Sequence, residues 1–178
     1  MTEDDKILDQ YLVSLAQSGS PEAFDRLCRR WTPRLIRYAS RRTGGRVPAL
    51  DVVQDTWISA IRGLRGLKDP SSFAAWIYGI ARRKCIDLIR SRQRHRRLSE
   101  QLRDDAMTSA PEVGVSAEEL DLREALARLG PEHREIVDLF YAEDLAIDEI
   151  ATVICVAPGT VKSRLFHARQ FLKSQLGV

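Results

Sequence analysis

Apolar residues recur along this chain at three- and four-residue steps, the period of a helix face. The alternation with period two that marks a strand is absent from the N-terminal half. Ile7, Leu8, Tyr11, Leu12 and Leu15 predict a first amphipathic helix. Ser20 and Pro21 read as an N-cap and first helical position, with Phe24, Leu27, Cys28, Trp31, Leu35 and Ala39 forming one apolar face behind them. Pro33 is expected to kink or split that helix, since it lacks an N–H and crowds the preceding turn. Gly44 and Gly45 end the segment. Pro48 opens a third helix with Leu50, Val53, Trp57, Ile61 and Leu64 on one face. Asp69-Pro70 opens a fourth, through Phe73, Trp76, Ile77, Ile80, Lys84 and Leu88 into a basic tail.

The period fails between residues 98 and 115. LSEQLRDDAMTSAPEVGV mixes acids, small residues, Pro111 and Gly114, and cannot bury enough apolar area to offset its ordering entropy. It is predicted to be a mobile linker. Ser116 and Glu119 have capping-box spacing and open a second domain, 116–178, with Leu122, Leu126 and Leu129 in its first helix. Gly130-Pro131 starts a helix bearing Ile136, Val137 and Phe140, and two helices near 146–154 and 158–175 finish the chain. The expected fold is all-α: a helical domain over 1–97, an acidic flexible linker over 98–115, and a second helical domain over 116–178.

Charge sharpens this division. The 178 residues carry a formal net charge of only +3, but residues 1–97 hold 20 Lys/Arg against 10 Asp/Glu. Residues 98–149 hold 4 against 15, and residues 150–178 hold 4 and no acid. Two basic ends around an acidic middle predict two modules that face a polyanion, joined by a segment that avoids it. No apolar run approaches the roughly 20 residues that span a bilayer. The start, MTEDDKILDQ, lacks the basic and apolar regions of a signal peptide, so a cytoplasmic location is expected. Cys28, Cys85 and Cys155 form no CxxC pair, and His95, His133 and His167 supply no metal-ligand spacing beside them. The expectation is three buried reduced thiols, no metal and no cofactor.

Two stretches carry candidate chemistry. In the first, Ile147, Ile150, Ala151 and Ile154 face inward on a short helix; a tight CVAP connection leads to Val161, Leu165, Ala168 and Leu172 on the next. This is the layout of a helix-turn-helix, whose second helix enters the major groove. A plain helical hairpin with a wet basic face fits the same periodicity. The second stretch, RRKCIDLIRSRQRHRR, sets 8 Lys/Arg against one acid, Asp87, and extends a helix carrying Phe73, Trp76 and Tyr78. Cations that follow phosphates beside rings that stack on bases suit single-stranded nucleic acid. Trp76 and Phe73 also sit at core spacing, and that reading stays open. There is no phosphate-binding Gly loop, HExxH or GxSxG, so an enzyme is not expected. Asp51 and Asp55, one turn apart, read as a surface or interface pair.

Four stretches in this order resemble the bacterial RNA polymerase sigma factors, specifically the two-domain extracytoplasmic-function (ECF) group: AFDRLCRRWTPRLIRYA, ALDVVQDTWISAI, SFAAWIYGIARRKCIDLIR and LAIDEIATVICVAPGTVKSRLFHAR. The resemblance spans roughly 20–95 and 117–176. It implies that Asp51, Gln54, Asp55 and Trp57 dock on core RNA polymerase. It implies that Trp76, Tyr78, Arg82, Arg83, Lys84, Arg90, Arg92 and Arg94 hold the opened −10 element, and that Thr160, Lys162, Ser163, Arg164, His167 and Arg169 read duplex −35 DNA. It further implies a transcription initiation factor with promoter DNA, core polymerase and an anti-sigma factor as partners. The sequence departs from the family pattern at four positions: Arg83 replaces Asn, Ala146 a Ser/Thr cap, Cys155 Gly, and His167 Arg. A stand-alone helix-turn-helix regulator is the alternative, and a nuclease a more distant one.

Overall fold

The computed structural model describes residues 2–100 and 117–176, with side chains over 2–96 and 121–176. Eight α-helices and no strand occur among the described residues, and the chain divides into two compact units, 1–106 and 107–178. The predicted linker falls outside the described residues except at its start, where helical backbone continues through Glu100. The capping box expected at Ser116 also lies outside them.

In the first unit, α1 (Glu3–Gln17) is closed by a capping box in which Thr2 and Asp5 exchange hydrogen bonds. Its inward face is only partly the predicted one: Leu12 is buried and Leu8 and Leu15 are half-buried, but two other positions are not. Ile7 and Tyr11 are each 58% exposed, while Asp9, Leu12 and Val13 are buried. An acid is tolerated inside because Arg30 donates from Nε to Asp9 Oδ1 at 2.9 Å.

Ser20 caps α2 (Pro21–Thr43) as predicted, accepting from the Ala23 N–H at 3.2 Å. The expected break at Pro33 does not occur; the helix is continuous. Pro33 is exposed, so the Arg29 carbonyl that loses its partner there lies on the solvent side, where water can satisfy it. Gly44, at φ 77°, ends the helix in the left-handed conformation that glycine adopts without a Cβ clash.

The third helix, α3 (Arg46–Gly63), also departs in part from its predicted inward face, keeping Val53 but not Leu50 or Ile61. Ala49, Val52, Val53, Thr56 and Ala60 are buried, whereas Leu50 and Ile61 point to solvent. Two 3₁₀ turns, Leu64–Gly66 and Pro70–Ser72, lead to the long α4 (Phe73–Glu100). The core between α2 and α4 is aromatic. The Trp31 ring meets Phe73 at 5.3 Å and Tyr78 at 5.9 Å, and Tyr38 meets Tyr78 at 5.2 Å, all edge-on.

The second unit comprises α5 (Ala117–Arg128), α6 (Pro131–Val137) with a π turn over Asp138–Ala142, α7 (Ile147–Ile154) and α8 (Pro158–Leu176). Leu129, Val137 and Ala168 pack with Leu126, Phe171 and Leu172. Ile136, Leu139, Ile150, Val161 and Leu165 are also buried. The α7–α8 connection bends at Cys155, which is left-handed at φ 58°, ψ 50°. A position that favours glycine is thus held by a residue with a Cβ, at a cost of about 1 kcal/mol.

Of the three thiols, only Cys85 is buried; Cys28 is half-buried and Cys155 exposed, which corrects the expectation of three buried cysteines. Burial, with Asp25 nearby, pushes the Cys28 thiol up to about 11, so it is a poor nucleophile near neutral pH.

Candidate polymerase and promoter interfaces

The register of α3 decides what its surface presents. With Val52, Val53, Thr56 and Ala60 turned in, Asp51, Gln54 and Asp55 are all exposed. They share that surface with Val47, Leu50, Ile58 and Ile61, which are 77%, 45%, 43% and 60% exposed. Four large apolar side chains around two acids make a stripe that solvated helix faces seldom carry. Trp57 differs from its neighbours. It is half-buried, its Nε1 donates to Thr32 Oγ1 at 2.9 Å, and its ring meets Phe24 edge-on at 5.8 Å. Trp57 therefore fixes α3 against α2. Leu50 and Ile61 were missed as surface residues because periodicity places them on the core face, and Val47 and Ile58 carry no predicted role.

On α4, Trp76 is half-buried, tilted against Phe73 at 5.9 Å. It lines a surface cavity with Ser59, Gly63, Ile80, Arg83, Lys84 and Asp87. The approach to α3 is close: a Cβ at Gly63 would lie 3.2 Å from Trp76 Cζ2, so a larger residue there would push the ring by a few tenths of an ångström. The structure thus brings one aromatic edge together with Arg83 and Lys84. Tyr78 does not join them. It is 0% exposed and enclosed by Trp31 and Tyr38, so it presents no face to a base; its assignment to strand binding is corrected. Arg82 is half-buried, while Arg83, Arg90, Arg92 and Arg94 are exposed. Arg92 also donates from Nη1 to the Thr43 carbonyl at 3.0 Å, tying α4 to the end of α2.

In the second unit, Ala146 has no side-chain oxygen to cap α7, so only the return half of the box forms. Its N–H donates to Glu149 Oε2 at 2.8 Å. On α8, Val161, Leu165 and Ala168 are buried, which leaves Lys162, Ser163 and His167 exposed and Thr160 half-buried. Phe166, 57% exposed, stands among them with its ring 5.6 Å from that of His167. Sequence reading passed over it as one more apolar residue; its phase on α8, opposite Val161 and Leu165, was the available signal. Arg164 and Arg169 lie on the flanks and have partners within the unit: Arg164 pairs with Glu132, and Arg169 donates from Nε to Tyr141 Oη at 2.7 Å.

Among the described residues no helix is long and apolar enough to cross a membrane.

Comparison with known proteins agrees with this arrangement. Residues 27–95 match the family described as Sigma-70 region 2, and residues 119–172 match Sigma-70, region 4. The chain is 36% identical over 151 residues to the ECF RNA polymerase sigma factor SigL of Mycobacterium tuberculosis, covering 81% of this chain and 85% of that protein. Among solved structures it is similar to the sigma factor RpoE of Bartonella quintana, crystallised with the anti-sigma factor NepR. That likeness has a TM-score of 0.71 and 27% identity, covering 87% of this chain and 97% of the other. It is also similar to CnrH in complex with the cytosolic domain of CnrY, with a TM-score of 0.70 and 26% identity over 96% and 97% of the two chains. The exposed face of α3, the basic α4 and the helix-turn-helix of α7 and α8 are thus parts of one known kind of protein, and the chain belongs to the ECF RNA polymerase sigma factors.

Proposed function

We propose that the α3 surface docks on core RNA polymerase through Leu50, Asp51, Gln54, Asp55, Ile58 and Ile61, with Trp57 holding that helix in place. In this reading α4 captures the displaced strand of the −10 element, with Trp76 stacking on a base and Arg82, Arg83, Lys84, Arg90, Arg92 and Arg94 following its phosphates. The second unit anchors the −35 duplex: Lys162, Ser163, Phe166 and His167 enter the groove, and Thr160, Arg164 and Arg169 line its walls. Phe166 suits apolar contact with a thymine methyl.

The observation that carries this reading is the exposed stripe on α3. A regulator that binds only DNA has no use for four exposed apolar residues around two acids. Holding unstacked bases offsets an opening cost of a few kcal/mol. The protein supplies no catalytic step of its own; it selects the site and stabilises the opened strand for the polymerase. It acts in the cytoplasm, where an anti-sigma factor holds it inactive by covering the α3 surface. Similarity to RpoE, solved with the anti-sigma factor NepR, supports that last step.

The experiment is probing of unpaired thymines on a promoter at which the reconstituted holoenzyme transcribes. Thymines near −10 are expected to become reactive only with both core and this protein present, and to lose that reactivity in Trp76→Ala. Strand opening by the protein without core would contradict the proposal.

A further inference from the structure

Tyr141 belongs to none of the surfaces assigned above, yet it is 58% exposed beside α8. Its environment is built. Arg169, two helical turns beyond Lys162 and so about 10 Å along the same flank of α8, donates from Nε to Tyr141 Oη at 2.7 Å. The guanidinium lies over both neighbouring rings, 5.4 Å from the centroid of Phe140 and 5.6 Å from that of Tyr141. Those rings meet edge-on at 4.9 Å. Glu143 in the same turn is buried and Asp138 half-buried; Asp144 is exposed.

This geometry has two chemical consequences. The hydroxyl of Tyr141 spends a lone pair on Arg169, so its own proton is left to donate elsewhere. The bond from Nε takes one edge of the guanidinium, and its remaining N–H donors, on the two Nη atoms, lie in the same plane. A neutral O–H and a cationic N–H edge are therefore held side by side, with little side-chain entropy left to lose. Such a pair suits a tetrahedral anion.

We propose that Tyr141 and Arg169 form a preorganised clamp for one backbone phosphate of promoter DNA, on the wall of the groove that α8 enters. The proposal rests on the −35 assignment of α8. Its distinct content is that Tyr141 binds DNA and that Arg169 grips phosphate instead of reading a base. The clamp fixes how deeply α8 sits and contributes no sequence preference.

The test uses holoenzyme reconstituted with the full chain, on a promoter at which the wild type transcribes and on the same fragment with single −35 substitutions. Tyr141→Phe keeps both rings and is expected to weaken binding about five-fold on every fragment. Arg169→Gln is expected to reduce the slope of log affinity against log salt by about 0.9, and Arg169→Lys to restore the slope with part of the affinity. A purely structural Arg169 would lower thermal stability and leave the salt slope unchanged, which overturns the clamp. So does a loss confined to one base pair, or unchanged binding by Tyr141→Phe. Failure of the wild-type holoenzyme to discriminate −35 variants is a different result, and rejects the −35 assignment itself.

Discussion

Arg30 of α2 holds Asp9 of α1 through a 2.9 Å bond from Nε, and Asp9 is buried with a side chain only 7% exposed. The same guanidinium donates from Nη2 to Asp5 Oδ1 at 3.0 Å. One arginine therefore joins α1 to α2 through two carboxylates. Arg30→Met leaves Asp9 buried without that partner and is expected to cost about 3 kcal/mol in denaturant unfolding of the first unit. Loss below 1 kcal/mol would show that Asp9 reaches water when released.

The pair also sets a pH dependence. The Arg30 hydrogen bond, followed by those from Thr2, lowers the Asp5 carboxyl from 3.8 to about 2. A carboxyl that is more acidic folded than unfolded stabilises the fold above its unfolded value. That contribution is lost as pH falls through the folded value. The first unit is thus expected to lose stability between about pH 4 and pH 2, and Asp5→Asn to flatten that part of the curve. Urea unfolding across this range checks it; identical slopes for wild type and variant would contradict it.

The exposed stripe of α3 predicts a loss of binding without a loss of folding. Asp55→Arg and Ile61→Ser change exposed positions, so each is expected to alter stability by no more than about 0.5 kcal/mol. Both are expected to weaken association with core polymerase at least ten-fold, measured by competition for core. Retained affinity in both would remove α3 as the docking surface.

Lys162→Ala separates phosphate contact from base reading. If Lys162 touches the backbone, holoenzyme binding weakens on all fragments and the salt slope falls by about one phosphate-equivalent. If it reads a base, specificity relaxes at one position by about 1–3 kcal/mol. No change in either quantity returns Lys162 to an ordinary solvated side chain.

Ala146→Ser completes the capping box that Glu149 already half-forms, and is expected to raise the stability of the second unit by about 1 kcal/mol. Thermal unfolding of the full chain reads it. An unchanged transition would mean that the Glu149 bond to the Ala146 N–H already supplies most of what a cap provides.

Much of the fold was legible because caps and turns are local. Ser20-Pro21, Asp69-Pro70 and Gly130-Pro131 start elements where their side chains and fixed φ require. The tight connection between two apolar helix faces was legible, but its left-handed bend at Cys155 was not, since a residue with a Cβ argues against that conformation. Helix phase was less legible. Ile7, Tyr11, Leu50 and Ile61 have the spacing of a core face but point outward, because hydropathy does not say whether an apolar residue meets its own chain or another. Asp9 was unreadable as a core residue, since its partner Arg30 lies 21 positions away. Of the rings expected to stack on DNA, Tyr78 is enclosed and Trp76 is partly accessible; both sit at core spacing, and only packing separates them.

Run-off transcription with purified core polymerase on a genomic promoter library tests the central claim most directly. The account predicts discrete transcripts that require this protein, share −10 and −35 sequences, and vanish with Asp55→Arg. Specific retardation of promoter DNA by the protein alone, with no core-dependent transcript, would contradict it.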